Sequence, residues 1–178
     1  MKTLYLFPTL EESVAFCDLC PDKREQVVVV GVGMAAAGAN AAQAIVRREP
    51  QRVVLCGIAG ACDRRVEVGA VVQVESDRVA GLPERYSIEY SSSLVEGLCP
   101  VQSLTVSRTG ESLPLKAGNM PCIEQMEGAA VAAACEAMGV KEYYHLRAIS
   151  NYVDDPRTAW CIKEAVAALG EWLAAQNL

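Results

Sequence analysis

Three sets of residues in this 178-residue chain have types and spacings that suggest chemistry. Gly31-Val32-Gly33-Met34-Ala35-Ala36 follows an apolar run and opens an Ala-rich stretch. It fits the G-x-G-x-x-A turn that seats a dinucleotide pyrophosphate on a helix N-terminus. Such a site needs an acid for the ribose about 20 residues on, at the end of the next strand. Val53-Val54-Leu55-Cys56-Gly57 stands there and offers none. The turn is therefore read as a tight strand–helix connection, whose helix N-terminus can still hold an anion or a water. Cys17 and Cys20 form one C-x-x-C. They fall near the end of a predicted helix, whereas a redox pair needs a helix N-terminus to lower the first thiol's pKa. No second C-x-x-C completes a zinc site. His145 is the only histidine and lies in the strand-like Tyr143-Tyr144-His145-Leu146-Arg147. It reads as a buried or edge-strand structural residue rather than as the base of a triad.

Composition narrows the class. The 16 basic and 22 acidic residues leave a net charge of −6, and no basic block stands out. This disfavours a nucleic-acid partner. Apolar runs are far shorter than a membrane span, so no membrane partner is expected. The first eight residues lack a long apolar signal core, and a cytoplasmic location is expected. The eight cysteines sit mostly in apolar segments, among them Cys56, Cys122, Cys135 and Cys161. Buried free thiols in a reducing compartment fit better than a disulfide scaffold. Residues 1–178 are expected to form one domain.

The elements that must position any site follow from periodicity. Residues 4–7 read as a strand and 10–20 as a helix. The β-branched run at 27–30 reads as a strand covered on both faces. Residues 34–48 are helical, ending before Pro50, and 52–56 form another buried strand. Residues 66–79 read as strand with a turn at Gly69, and 81–100 as irregular, with Ser91-Ser92-Ser93 an exposed loop. A strand at 101–106, a loop at 107–121 and a short strand at 122–125 follow. The chain then predicts a helix over 127–138, a strand over 142–149, and a last helix from Pro156 and Thr158 to about Gln176. Alternating strands and helices imply a three-layer α/β/α fold around a mixed, mostly parallel sheet. Sites in such sheets lie beyond the strand C-terminal ends, here near Gly31, Gly57, Ser107, Gln125 and Ser150.

Three stretches occur in an order more specific than any one of them. The first is Val53-Val54-Leu55-Cys56-Gly57-Ile58-Ala59-Gly60, followed by Val68-Gly69-Ala70-Val71-Val72. The second is Ile123-Glu124-Gln125-Met126-Glu127-Gly128-Ala129-Ala130-Val131-Ala132. The third is Leu146-Arg147-Ala148-Ile149-Ser150-Asn151-Tyr152-Val153. Together they resemble the nucleoside phosphorylase/nucleosidase superfamily, over most of the chain. Within it, Gly57-Ile58-Ala59-Gly60, Gln125-Met126-Glu127-Gly128-Ala129-Ala130, and the run from Ser150 through Arg157 to Trp160 are most similar to the futalosine hydrolase family.

The resemblance implies cleavage of a ribose–purine N-glycosidic bond in a small-molecule nucleoside, with no metal and no organic cofactor. Catalysis then falls to Glu12, Glu127 and Asn151. Glu127 would accept the 2′- and 3′-hydroxyls, although a helix N-terminal acid is the plain alternative. Met126 would pack on the sugar. Ala59, Gly60, Gln125, Val106 and Ser107 would complete the substrate contacts. Glu12 matches the water-activating base after the first strand, with Glu11 its rival. Asn151 stands where adenine nucleosidases carry an Asp that protonates purine N7. An amide is not an acid, but its NH2 can donate to O6 and its oxygen can accept from N7 as that atom becomes N–H. That shifts the expectation toward 6-oxopurines. No Arg stands at 57–61, where phosphorylases hold phosphate.

The resemblance also marks departures. Only Pro21 to Gln26 separates the first helix from the next strand, where relatives carry a hairpin, and 81–121 looks short. A homodimer partner would then complete the 5′ side of the pocket. Three readings remain: a futalosine hydrolase-like 6-oxopurine nucleosidase, a phosphorylase or adenine nucleosidase of the same superfamily, and a non-catalytic nucleoside-binding protein.

Overall fold

Thr3–Phe7 is a run of five buried residues and forms β1 of the computed structural model, which describes residues 1–110, 119–176 and 178. Successive side chains of a strand point to opposite faces. Leu4 and Leu6 therefore enter one apolar cluster, and Tyr5 and Phe7 enter another. β3 (Arg52–Ala61) repeats the device, with Val53 and Leu55 on the first side and Val54 and Cys56 on the second. Helices α2 (Met34–Arg48) and α3 (Gly128–Ala137) cover the first side. Helices α1 (Leu10–Leu19) and α4 (Ile162–Ala175) cover the second. This is the expected three-layer α/β/α arrangement.

The remaining strands are β2 (Val27–Val29), β4 (Val71–Val79), β5 (Tyr90–Ser91), β6 (Cys99–Thr105), β7 (Cys122–Gln125) and β8 (Glu142–Tyr152). They join one sheet in the order β2-β1-β3-β7-β6-β4-β5, with β8 bridging β3 and β4. The pairs β1–β2, β1–β3, β3–β8, β4–β6 and β6–β7 are parallel; β3–β7, β4–β8 and β4–β5 are antiparallel. β3, β8, β4, β6 and β7 thus close on themselves. Ala59, Val72, Val74, Val101, Ile123 and Ile149, drawn from all five, form a third apolar cluster. Periodicity indicated a mixed sheet but not its closure, which arises because β3, alongside β8, runs on far enough to pair with β7 through Gly60 and Ala61. β3 and β8 continue to Ala61 and Tyr152, through a register shift at Ala59/Gly60.

Several expectations are corrected. The 27–30 run is covered only in part: Val28 and Val30 pack on the first side and Val27 on the second, but β2 lies at the sheet edge and Val29 is exposed. Its β-branched residues satisfy a half-covered edge as well as an interior strand. Gly57, Ser150 and Asn151 lie within strands rather than after them. Tyr90–Ser91 pairs with β4 instead of looping free. The final helix begins at Ile162, because Arg157–Ala159 forms a separate 3-10 turn after Pro156. Pro21–Gln26 is a single 3-10 segment, so no hairpin stands there. Cys161 is only half-buried, while Cys56, Cys122 and Cys135 are buried; all eight cysteines are free. Part of the predicted 107–121 loop, at 111–118 with Pro114 and Gly118, lies outside the described residues. Among the described residues, no helix is long and apolar enough to cross a membrane.

Phe16 fastens α1 to the sheet. It is fully buried, 4.7 Å from the Tyr5 ring centroid and 6.1 Å from that of Phe7. Phe16→Ala is expected to cost about 3–5 kcal/mol, the range for truncating a buried aromatic. The midpoint of denaturant-induced unfolding checks this.

Candidate active site

The site forms where α1, β3, β7 and β8 meet. Thr9 caps α1 by accepting from the Glu12 N–H, which directs Glu12 inward while Glu11 stays exposed. Glu12 is buried. Its Oε1 accepts from the Thr9 hydroxyl at 2.9 Å, and its Oε2 accepts from the Ile58 N–H at 2.9 Å. Arg147, on β8, is 1% exposed. It donates to the Ile58 carbonyl (3.1 Å), Gln125 Oε1 (3.1 Å), Glu127 Oε2 (3.2 Å) and His145 Nε2 (2.9 Å). Gly57 makes the approach possible. A Cβ there would stand 2.5 Å from Arg147 Nη1 and 2.6 Å from Glu12 Oε2. Two opposite charges thus share the space above one residue that has no side chain.

Glu127 precedes α3 and is buried. Its Oε1 accepts from the Gly33 N–H at 3.1 Å. The glycine-rich turn therefore does present a helix N-terminus to an anion, and that anion is the chain's own carboxylate. Gly33, at φ +85°, adopts a conformation that side-chain-bearing residues rarely enter. Gln125 is buried, and its amide is fully engaged. Nε2 donates to Asp77 Oδ2, Ser103 Oγ and Thr105 Oγ1; Oε1 accepts from Arg147 and from the Glu127 and Gly128 N–H groups. Gln125 therefore positions the groups around it. Asn151 is buried; Nδ2 donates to the Tyr152 carbonyl and Oδ1 accepts from Ser150 Oγ, both at 2.8 Å. A carbonyl can only accept, so this fixes which way the amide points.

These groups line a cavity of about 260 Å³. Of the residues named from sequence, Glu12, Ala59, Gly60, Val106, Gln125, Met126, Glu127 and Asn151 all reach it. Ser107 does not: it follows β6 on the exposed side, one residue past buried Val106. Sequence reasoning passed over Arg147, Glu124, Thr109, Ile58 and Pro8 as lining groups. Arg147 had a legible signal, since a lone cation inside the apolar 142–149 strand must find acids. Glu124 had a weaker one, an acid in a four-residue buried strand.

Burial pushes the Glu12 carboxyl above the usual range. The Arg147 charge, the Ile58 N–H and the Thr9 hydroxyl oppose that shift, and the Glu127 charge adds to it. Behind the cavity, burial raises Asp77 to about 6, against the hydroxyls of Thr105 and Ser103 and the Arg147 charge. Burial and the Arg147 charge hold His145 well below its ordinary value, which keeps it neutral. Its Nδ1 lies 3.9 Å from Asp77 Oδ2, and that nitrogen and Asp77 Oδ1 have no hydrogen-bond partner. The single histidine is thus a buried structural residue, as expected. Among the described residues, no cluster of three or more His, Cys, Asp or Glu could hold a metal ion.

No protein-family model matches the sequence, and no curated protein matches it. The fold does match solved structures. A futalosine hydrolase mutant of Helicobacter pylori superposes with a TM-score of 0.82 at 14% identity, covering 97% of each chain. The 5′-methylthioadenosine/S-adenosylhomocysteine nucleosidase of the same organism, complexed with a pyrrolidinol compound, gives 0.81 at 14% identity, over 97% of this chain and 96% of that one. The corresponding nucleosidase of S. pneumoniae, with a transition-state inhibitor, gives 0.81 at 15%, over 98% and 97%. The chain therefore has the nucleosidase fold along nearly its whole length.

The Asp77 environment sets a pH dependence of stability. An acid whose carboxyl is raised in the fold costs nothing below its unfolded value near 3.8; its penalty then grows as pH rises and is complete once pH passes about 6. Relative to Asp77→Asn, the wild type is expected to lose on the order of 3 kcal/mol between pH 4 and pH 7. Urea unfolding of both proteins across that range measures the difference, and parallel curves would refute it.

Proposed function

We propose that this protein is a purine nucleosidase that hydrolyses the N-glycosidic bond of a 6-oxopurine nucleoside, in the manner of futalosine hydrolase. The carrying observation is the arrangement of Glu12, Arg147 and Glu127 around one cavity, with an amide at Asn151 rather than an acid. Cleavage builds positive charge on the sugar ring, as in other glycoside cleavages. Glu11, Glu12, Glu124 and Glu127 all line the cavity and suit that charge. Glu127 accepts the ribose hydroxyls, and Met126 packs on the sugar. Glu12 takes a proton from a water as its oxygen bonds to the anomeric carbon and the carbon–nitrogen bond breaks. The departing base carries the electron pair. Asn151 donates to O6 or N7 as the base leaves, and Ala59, Gly60 and Val106 wall the base. Arg147 and Gln125 position the two catalytic glutamates.

Water suits this cavity better than phosphate does. A phosphate dianion would face four carboxyl groups, and the Arg147 guanidinium is already engaged by Ile58, Gln125, Glu127 and His145. In this reading the enzyme is cytoplasmic and works as a homodimer. Exposed Leu10 and Val14, one turn apart on α1, and exposed Val32 at the cavity wall offer apolar surface for the second copy.

Purified protein is expected to release hypoxanthine from futalosine or inosine without phosphate, followed chromatographically. Release that requires phosphate would make it a phosphorylase. Preference for methylthioadenosine would make it an adenine nucleosidase, and ligand-induced stabilisation without release a binding protein. Glu12→Gln is expected to lower kcat/KM by about 100-fold or more, the usual worth of a general base. Because burial raises Glu12, the acid limb of the kcat/KM profile should fall at a pH above the ordinary carboxylate range. An acid limb at or below pH 4 would count against Glu12 as the base.

A further inference from the structure

Two buried cysteines meet beside the cavity, and the reaction above uses neither. In the antiparallel pair of β3 and β7, Gly60 is opposite Glu124 and Ala61 is opposite Ile123. One rung further, the same register puts Cys62 opposite Cys122. The Cys62 N–H donates to the Cys122 carbonyl at 2.8 Å, which makes this a hydrogen-bonded rung. Cα atoms at such rungs stand about 5.5 Å apart, inside the range that a disulfide spans without backbone movement. The thiols meet as well. A side-chain hydrogen bond with Cys62, and then burial, push the Cys122 thiol up. Cys62 is 4% exposed and Cys122 8%, and both belong to one apolar cluster with Leu104 and Val106. Side chains alternate along a strand, so this pair shares a face with Gly60 and Glu124, which line the cavity. Val106 and Met126, also of the cavity wall, pack in the same cluster. Arg65 donates to the Asn119 and Met120 carbonyls at 3.1 and 2.9 Å. The chain after Cys62 is thus fastened to the chain before Cys122.

We propose that Cys62 and Cys122 are a redox-sensitive latch, forming a reversible disulfide that locks the closure of the sheet at the cavity wall. The latch rests on strand register and is independent of the nucleosidase reading. Its oxidant is a low-molecular-weight disulfide of the glutathione class. One cysteine thiolate attacks a sulfur of that disulfide and expels one small thiolate, which leaves a mixed disulfide. The second cysteine attacks the protein-side sulfur, forms the intramolecular bond and expels the second small thiolate. Two protein thiols give up two protons and two electrons, and one small disulfide becomes two thiols. Among the described residues, no other two cysteines face one another across paired strands: Cys56 stands opposite Leu146 and Cys99 opposite Val72. The position matters because β3 closes the ring of strands through Gly60 and Ala61. A bond across the next rung closes a loop of about 60 residues, which carries β4, β5 and β6, and restricts the open chain accordingly. It also fixes Gly60 against Glu124 in the cavity wall. Both exchange steps need a thiolate, and the raised Cys122 thiol supplies little at neutral pH, so the latch closes slowly.

The whole chain, held natively with oxidised or with reduced glutathione, is alkylated, digested without reduction and mapped by peptide mass spectrometry. The oxidised sample is expected to carry one intramolecular bond, joining the peptides of Cys62 and Cys122, which dithiothreitol reverses. Oxidised protein should melt roughly 5–10 °C above the reduced form. Backbone amides at 59–62 and 122–125 should exchange about tenfold more slowly, because the rungs there no longer open locally. Cys122→Ala should abolish both shifts, whereas Cys99→Ala should retain them. The mapping uses wild type alone, so it decides even if Cys122→Ala does not fold. Glutathione adducts without the Cys62–Cys122 bond, or a Cys17–Cys20 bond in its place, overturn the proposal. A Cys62–Cys122 bond that forms only in denaturant overturns it also. So does a native bond that leaves both melting and exchange unchanged, since two cysteines that merely fill the core would then account for the pair.

Discussion

A buried guanidinium organises this molecule. Arg147 sits in the middle of a strand with almost no exposure, and leaving its charge unmatched would cost several kcal/mol. The fold therefore has to bring acids and carbonyls to it from distant parts of the chain. Glu127 arrives from the start of α3, Ile58 from β3 and Gln125 from the end of β7. Glu12 is lowered from α1 into the same space over Gly57. The Gln125 amide then fixes the geometry of that set, because one oxygen accepts from the cation and from the two backbone N–H groups that begin the α3 turn. Satisfying one charge thus assembles two carboxylates on one cavity wall.

The same network extends away from the cavity into a region with less compensation. His145 accepts from Arg147 through Nε2, which leaves its Nδ1 facing Asp77 at 3.9 Å without a partner. Asp77 is held by Thr105 and Gln125 through one oxygen only. Burial favours the neutral form of both groups. Polar groups packed this way cost stability, and such costs are commonly tolerated where they hold a site in one geometry.

Local sequence patterns carried much of this structure. The α2 limits were legible because an Ala-rich stretch lies between a glycine turn and Pro50. The strand at 122–125 was legible as a short segment between Pro121 and the helix that follows. The closed ring of strands was not, because closure depends on β3 running past Gly57 far enough to pair with β7 through Gly60 and Ala61. At the site, Glu12 was separable from Glu11 only in three dimensions, since the Thr9 cap decides which acid turns inward. Gln125 was recognisable as important, but its role was not, because every partner of its amide beyond Glu127 and Gly128 comes from another strand. Ser107 was misplaced because strand alternation past the end of β6 carries no information about which way a loop turns.

The glycine-rich turn links the rim of the molecule to its centre. The strand before it, β2, is three residues long and pairs with a single neighbour, so it is a lightly held edge of the sheet. The N–H of Gly33 just beyond it is nevertheless one of two donors on the Glu127 carboxylate. Local opening of proteins begins at such lightly paired margins, at free energies well below that of global unfolding. Each opening of β2 that carries Gly33 away frees Glu127 on one side and leaves it held by Arg147 alone. The arrangement makes the readiness of a deeply buried carboxylate depend on the breathing of an outermost strand. Occupancy of the cavity would in turn slow hydrogen exchange at the Gly33 amide.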